Sequence, residues 1–215
     1  MKTFWRSGAA ALVWLGVLLQ FWLMVHGRPP AEAAHAIVKF LSFFTVLSNI
    51  AVGTVLTASA LAPGRPLGRW AGRAGTRVAV GVYIAITAGI YHALLAGLWR
   101  PTGAQLVADV LLHTVTPALF LVDFLTLPPG EAARWGSAWK ALVFPLAYGA
   151  WSLAHGAATG FYPYPFLDVG KRGYGAVLVT MLLMGAGFYA MTLVLTGLQH
   201  LQRRLAPAPQ APISA

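Results

Sequence analysis

The chain has 215 residues, 58% of them hydrophobic and only 9% charged, with no cysteine and a formal net charge of +10. Soluble domains carry about 25% charged residues, so this composition excludes an ordinary soluble domain and indicates a membrane protein. The absence of cysteine removes disulfides, thiolate metal sites and a Cys nucleophile from consideration.

Six apolar stretches approach the ~20 residues that a helix needs to cross a hydrocarbon core: 7–25, 37–61, 77–98, 104–127, 138–159 and 174–200. The expected fold is all-α, a polytopic bundle of six transmembrane helices in one domain over residues 1–205, with a Pro/Ala-rich, disordered tail over 206–215. Lys2, Arg6, Arg65, Arg69, Arg73, Arg77, Arg134, Lys140, Arg203 and Arg204 fall on the side of the N-terminus, against Arg28, Lys39, Arg100, Lys171 and Arg172 on the other. That asymmetry in short loops is the positive-inside signal. It makes both termini cytoplasmic, in the plasma (inner) membrane if the protein is bacterial, and it argues against a nucleic-acid partner.

The first span follows Lys2 and Arg6 as a secretory signal would, but its apolar run exceeds the usual 7–15 residues, so it is read as a spanning helix. Gln20 is its only strongly polar side chain, and much of it is expected to face lipid. An outer loop, 26–39, carries Pro29, Pro30, Glu32 and His35. The second span puts Ser42, Thr45, Ser48 and Asn49 on one helical face. Small hydroxyl residues there usually bond to a backbone carbonyl or a neighbouring helix; an Asn in hydrocarbon must find partners. The third span carries Tyr83, Thr87 and Tyr91 at four-residue spacing, read as interfacial belt material, and His92.

The fourth span opens on Thr102 with Gln105 three residues on, a capping-box pattern. It then runs Asp109 to Asp123 with two carboxylates, His113, two threonines and Pro117. Asp109, His113, Thr116, Phe120 and Asp123 form one stripe at helical spacing. Polar groups inside a membrane face a bundle interior or a wet cavity, either for chemistry or as interhelical glue. Pro117 removes the bond to the carbonyl of His113, so a kink or a freed carbonyl is expected beside it. The fifth span carries Trp151, Ser152 and His155. It leads into Tyr162-Pro163-Tyr164-Pro165-Phe166-Leu167-Asp168, a stiff aromatic loop readable as a surface segment or as a lid.

Thr45 lies eight residues past the expected start of its span and His113 nine past the start of its own, placing both about 12–14 Å deep at ~1.5 Å per residue. Asp109, His92 and His155 fall shallower, so the polar residues describe a funnel open to the outer leaflet. A neutral histidine in such a site can take a proton from a threonine hydroxyl. Asp109, one turn before His113, could orient the ring or could be an ordinary acidic residue near a helix N-terminus. Asn49, one turn after Thr45, could donate to a developing oxyanion or simply join helices.

The stretch around Thr45, the His113-Thr114-Val115-Thr116-Pro117 segment and the Tyr162–Asp168 loop together resemble the androgen-induced-protein family, over most of the chain and in the same segment order. The resemblance implies a six-helix membrane hydrolase that uses a threonine and a histidine, by motif position Thr45 and His113, to cleave fatty acid esters of hydroxy fatty acids. The expected activity is therefore intramembrane lipid-ester hydrolysis without a cofactor, with a lipid ester arriving from the outer leaflet. Lys39, Arg100, Lys171 or Arg172 would hold a substrate carboxylate near the headgroups. Two other readings stand beside it. One is a metal-dependent enzyme with His92, His113, His155 and Asp109 as ligands; the other is a non-catalytic lipid-binding scaffold. A transporter is disfavoured by the lack of an internal repeat. Neither the ester nor the oligomeric state is legible.

Overall fold

The computed structural model describes residues 1–205; the expected disorder of 206–215 lies outside the described residues. Among the described residues eight helices follow one another: α1 (Lys2–Val25), α2 (Pro30–Leu41), α3 (Phe44–Leu61), α4 (Pro66–Gly72), α5 (Ala74–Leu98), α6 (Gly103–Thr126), α7 (Val143–Thr159) and α8 (Val169–Leu205). Among the described residues there is no strand. The protein is an all-α membrane bundle, and α1, α3, α5, α6 and α8 are each long and apolar enough to cross a bilayer.

Two expected spans differ from this outline. The second is broken. Ser42 turns its hydroxyl back to the Val38 carbonyl at 2.8 Å, and Phe43 is extended at φ −86°, ψ 125°. The expected loop 26–39 is largely helical, because Pro29 and Pro30 start α2 rather than prevent it. The fifth expected span begins as a 3₁₀ turn, Trp135–Leu142, and becomes α-helical only over the 17 residues of α7. The expected capping box at the start of α6 does not form: Thr102 makes no side-chain cap bond, and Gln105 donates instead to Gln20 of α1 at 2.8 Å.

Small residues set the packing distances. A Cβ on Gly16 would lie 2.9 Å from Leu111, and one on Gly53 2.9 Å from the Trp14 ring, so α1 sits close to both α6 and α3. Trp14 also bonds Thr57 at 3.0 Å. One face of α1 is thus buried through Ala9, Ala10, Val13 and Val17, while Leu15, Leu18 and Trp22 point outward.

The contacts define two ends. At one, Arg6 of α1 and Arg77 of α5 both meet Asp123 of α6, at 2.9 and 2.7 Å, and Gln199 of α8 bonds the backbone of Ala74 and Ala133. Asp123 is fully buried and Arg77 is 1% exposed, the guanidinium lying 5.7 Å from the Phe120 ring. Asp123 belongs to the predicted interior stripe but is spoken for by these two arginines. At the opposite end lie Gln20, Thr45, Tyr91, Gln105, Asp109 and the Tyr162–Asp168 loop, and there the site is built.

Candidate active site

The break between α2 and α3 changes the role of Thr45. It is the second residue of α3 rather than a mid-span residue, so its backbone N–H is one of the donors a helix leaves unpaired at its start. Tyr164 fills that vacancy: its hydroxyl accepts from the Thr45 N–H at 3.1 Å and lies 3.2 Å from Thr45 Oγ1. On the other lip of the break, the Tyr148 hydroxyl donates to the Ser42 carbonyl at 2.8 Å. Two tyrosines, one on α7 and one in the loop after it, thereby satisfy backbone groups that the interruption exposes.

The Tyr162–Asp168 loop is anchored inward. Tyr162 packs where a Cβ on Gly156 would otherwise stand, and Tyr164 meets Phe43 edge-on at 6.0 Å and stacks on Phe166 at 5.2 Å. Burial pushes the Tyr164 phenol pKa above its ordinary value, keeping the hydroxyl protonated.

Just before Pro117, where a kink or freed carbonyl was expected, the helix widens instead. Residues Leu111–Val115 form a π-turn, with the Thr116 N–H reaching back to Leu111. His113 sits in the middle of it. Its Nδ1 lies 3.2 Å from Asp109 Oδ1 and 3.1 Å from the Asp109 carbonyl. A second π-turn, Tyr91–Leu95 in α5, faces the first. It brings the Tyr91 ring flat against His113, centroids 3.7 Å apart and 10° from parallel, with its hydroxyl donating to Asp109 Oδ2 at 2.5 Å. The Asp109 carboxylate is thus hydrogen-bonded by Tyr91 and lies beside Nδ1, which hydrogen-bonds the Asp109 carbonyl, and it faces the interior rather than the helix terminus. With Nδ1 engaged, Nε2 is the histidine nitrogen left for chemistry.

Thr45 and His113 line one cavity of about 250 Å³, together with Asp109, Tyr91, Tyr164 and Gln105. No hydrogen bond joins Thr45 to His113; what they share is this cavity. Thr45 and Tyr164 also line a second, apolar cavity of about 380 Å³ on the side of α5, α7 and α8.

The remaining predicted residues fall outside this arrangement. Asn49 is fully buried, but its amide donates to the carbonyls of Thr45 at 2.8 Å and Leu112 at 3.1 Å. It pins α3 to the π-turn and has no free donor for an oxyanion. His92 is exposed and pairs with Thr114 at 3.1 Å. His155 stacks on Trp151 at 5.3 Å. Neither lines the cavity that His113 lines, and among the described residues no three His, Asp or Glu side chains are grouped to hold a metal ion. Lys39 lies over the Phe161 ring at 5.1 Å, Lys171 pairs with Asp168 at 3.5 Å, Arg172 reaches the Phe166 carbonyl and Arg100 is exposed. None of the four lines either cavity.

Tyr91 and Tyr164 are the residues that sequence reasoning missed. Tyr83, Thr87 and Tyr91 are buried, at 8, 6 and 7% exposure, and form an interior face of α5 rather than a belt. Thr87 bonds Ser48 of α3 at 3.0 Å and Tyr83 bonds the Ala141 carbonyl at 3.0 Å. Their shared four-residue spacing was the available signal. For Tyr164 it was the pair of flanking prolines, which stiffen the backbone on both sides of it.

Comparison with family models, with curated proteins and with solved structures returned no match to this chain.

Proposed function

We propose that the protein is an intramembrane lipid-ester hydrolase, a member of the androgen-induced-protein type, with Thr45 as nucleophile and His113 as general base. The observation that carries this reading is the shared cavity: it is lined both by a threonine hydroxyl at a helix N-terminus and by a histidine whose Nδ1 is bonded to the Asp109 carbonyl and lies beside the buried Asp109 carboxylate. An ester carbonyl seated between them would be attacked by Thr45 Oγ1, with the proton passing to His113 Nε2. The alcohol leaves with that proton, and the acyl-threonine is hydrolysed by water along the same route. Asp109 holds the ring in the required tautomer, and Tyr91 holds Asp109. The Tyr164 hydroxyl, 3.2 Å from Thr45 Oγ1 and itself held by the Thr45 N–H, is the donor nearest the developing oxyanion.

The absence of a Thr45–His113 hydrogen bond favours a second reading. His113 and Asp109 would activate a water directly, and Thr45 and Tyr164 would serve only to bind the oxyanion. A fluorophosphonate probe separates the two. Labelling of wild type that is lost in Thr45→Ala and in His113→Ala supports the acyl-threonine route. Ester turnover without labelling, reduced in Thr45→Ala but not abolished, supports the water route. Binding without turnover by any variant leaves the lipid-binding scaffold.

For the bundle in its membrane we infer six spans, with α7 and its preceding 3₁₀ turn as the fifth, and cytoplasmic termini. The basic residues of the Arg6–Arg77 end support this orientation. The site then lies in the outer half of the bilayer, open to substrate from the outer leaflet. The four cations Lys39, Arg100, Lys171 and Arg172 stay at that level as headgroup contacts, distant from the reacting bond.

A further inference from the structure

Apart from Thr45 and Tyr164 at one end, nothing lining the larger cavity has a part in the mechanism above. It is walled by Ile86 and Ile90 of α5, Leu146 and Gly149 of α7, and Met181 and Gly185 of α8, and it is overwhelmingly apolar. Its inner end is capped by Thr45 and Tyr164, the two side chains that also face the His113 cavity. Its outer rim carries Leu146, Leu178 and Leu182, at 61, 48 and 74% exposure, so the mouth opens sideways between α7 and α8, where hydrocarbon would surround the bundle.

We propose that this cavity is the acyl-chain site: one unbranched lipid tail enters between α7 and α8 and lies with its carboxyl end at Thr45. The cavity thereby selects substrates by chain length. This rests on the ester-hydrolase reading for its carboxyl end, but the tail site itself does not. The size fits: 380 Å³, at ~30 Å³ per water-sized group, admits on the order of a dozen methylenes. The walls fit as well. Met181 reaches over Gly149, where a Cβ would lie 2.6 Å from its terminal methyl, and unbranched methionines adapt to a flexible chain. Gly185 sets the depth. It lines the cavity and a Cβ there meets nothing within 4 Å, so a larger side chain would grow into the space the tail needs.

The test uses purified protein in detergent with two readouts. The first is the ratio of turnover of a long-chain to a short-chain p-nitrophenyl ester. The second is photolabelling by a fatty acid carrying a terminal diazirine. Wild type should favour the long ester and be labelled on the 181–188 segment. Gly185→Trp should lower the ratio by about fourfold for each methylene displaced and lose the label, with Gly185→Leu intermediate. Gly187→Trp, exposed on the same helix and outside the cavity, should change neither. A label on 181–188 with no ester turnover would retain the tail site and overturn the hydrolase reading. Label absent from 181–188 in wild type, or a ratio unmoved by both Gly185 variants, overturns the tail site.

Discussion

The imidazole of His113 lies face to face with the phenol ring of Tyr91, and both reach the same carboxylate, Asp109. One tyrosine thus fixes the histidine twice, by stacking and through its hydrogen-bonded neighbour. Tyr91→Phe keeps the stack and removes the hydroxyl. A hydrogen bond to a charged group is worth about 1.5–3 kcal/mol, so this variant should unfold earlier in detergent and lose roughly tenfold in kcat. Tyr91→Ala should lose more; equal losses in the two variants would assign the whole effect to the hydroxyl.

Asp109→Asn is nearly isosteric but offers the wrong partner to Nδ1–H in half of its orientations. General-base catalysis contributes about 10²–10⁴-fold, and a loss near the lower figure is expected, with fluorophosphonate labelling slowed in parallel. Turnover at the wild-type rate would remove Asp109 from the mechanism.

Tyr164→Phe removes both the partner of the Thr45 N–H and a donor for the oxyanion. Losing one such donor costs about 10²–10³-fold in kcat. The phenol has a second, pH-dependent consequence. Because its pKa is raised in the folded protein, its contribution to stability is fully present below the unfolded phenol value of about 10. It is lost as pH rises through the higher folded value. Melting temperature should therefore fall above pH 10 in wild type, and fall less steeply in Tyr164→Phe.

Gly156→Ala tests the loop rather than the chemistry. The new methyl would collide with the Tyr162 ring, two residues from Tyr164, and displace the loop. We expect reduced kcat with little change in melting temperature. A variant as active as wild type would mean that the loop's position does not matter to Thr45.

At the other end of the bundle, Asp123→Asn leaves Arg6 and Arg77 without their shared anion. Breaking a buried ion pair costs about 3–5 kcal/mol. The loss should appear in the unfolding temperature, while the specific activity of the folded fraction stays near wild type. Replacing Arg77 and Asp123 together by leucine should recover part of the stability.

How much of this was legible follows from what each signal encodes. Hydropathy gave the membrane class and most long helices, and Pro117 located the π-turn that carries His113. The interruption at Ser42 and Phe43 was invisible because neither is a proline or glycine and the apolar run continues across it; tertiary bonds from Tyr148 and Tyr164 satisfy the backbone groups it exposes. Spacing placed Tyr91 on a face but not toward a partner, so a buried stacking residue looked like an interfacial one. His92 and His155 failed for the complementary reason: similar depth along a helix says nothing of direction around it. Whether Asn49 donates inward to a ligand or across to Leu112 depends on where the freed carbonyl of α6 lands, which no local pattern contains.

The two lips of the break before α3 are held by tyrosines from a single neighbouring hairpin, one on α7 and one just beyond it. Any slide of that hairpin along α3 alters the hydroxyl of Thr45 and the carbonyl of Ser42 together. Bilayer thickness and lateral pressure act on the tilt of membrane helices. On the proposed mechanism this couples the threonine to the lipid in which the protein sits, and activity measured in thin and thick bilayers is expected to differ even when the substrate is the same.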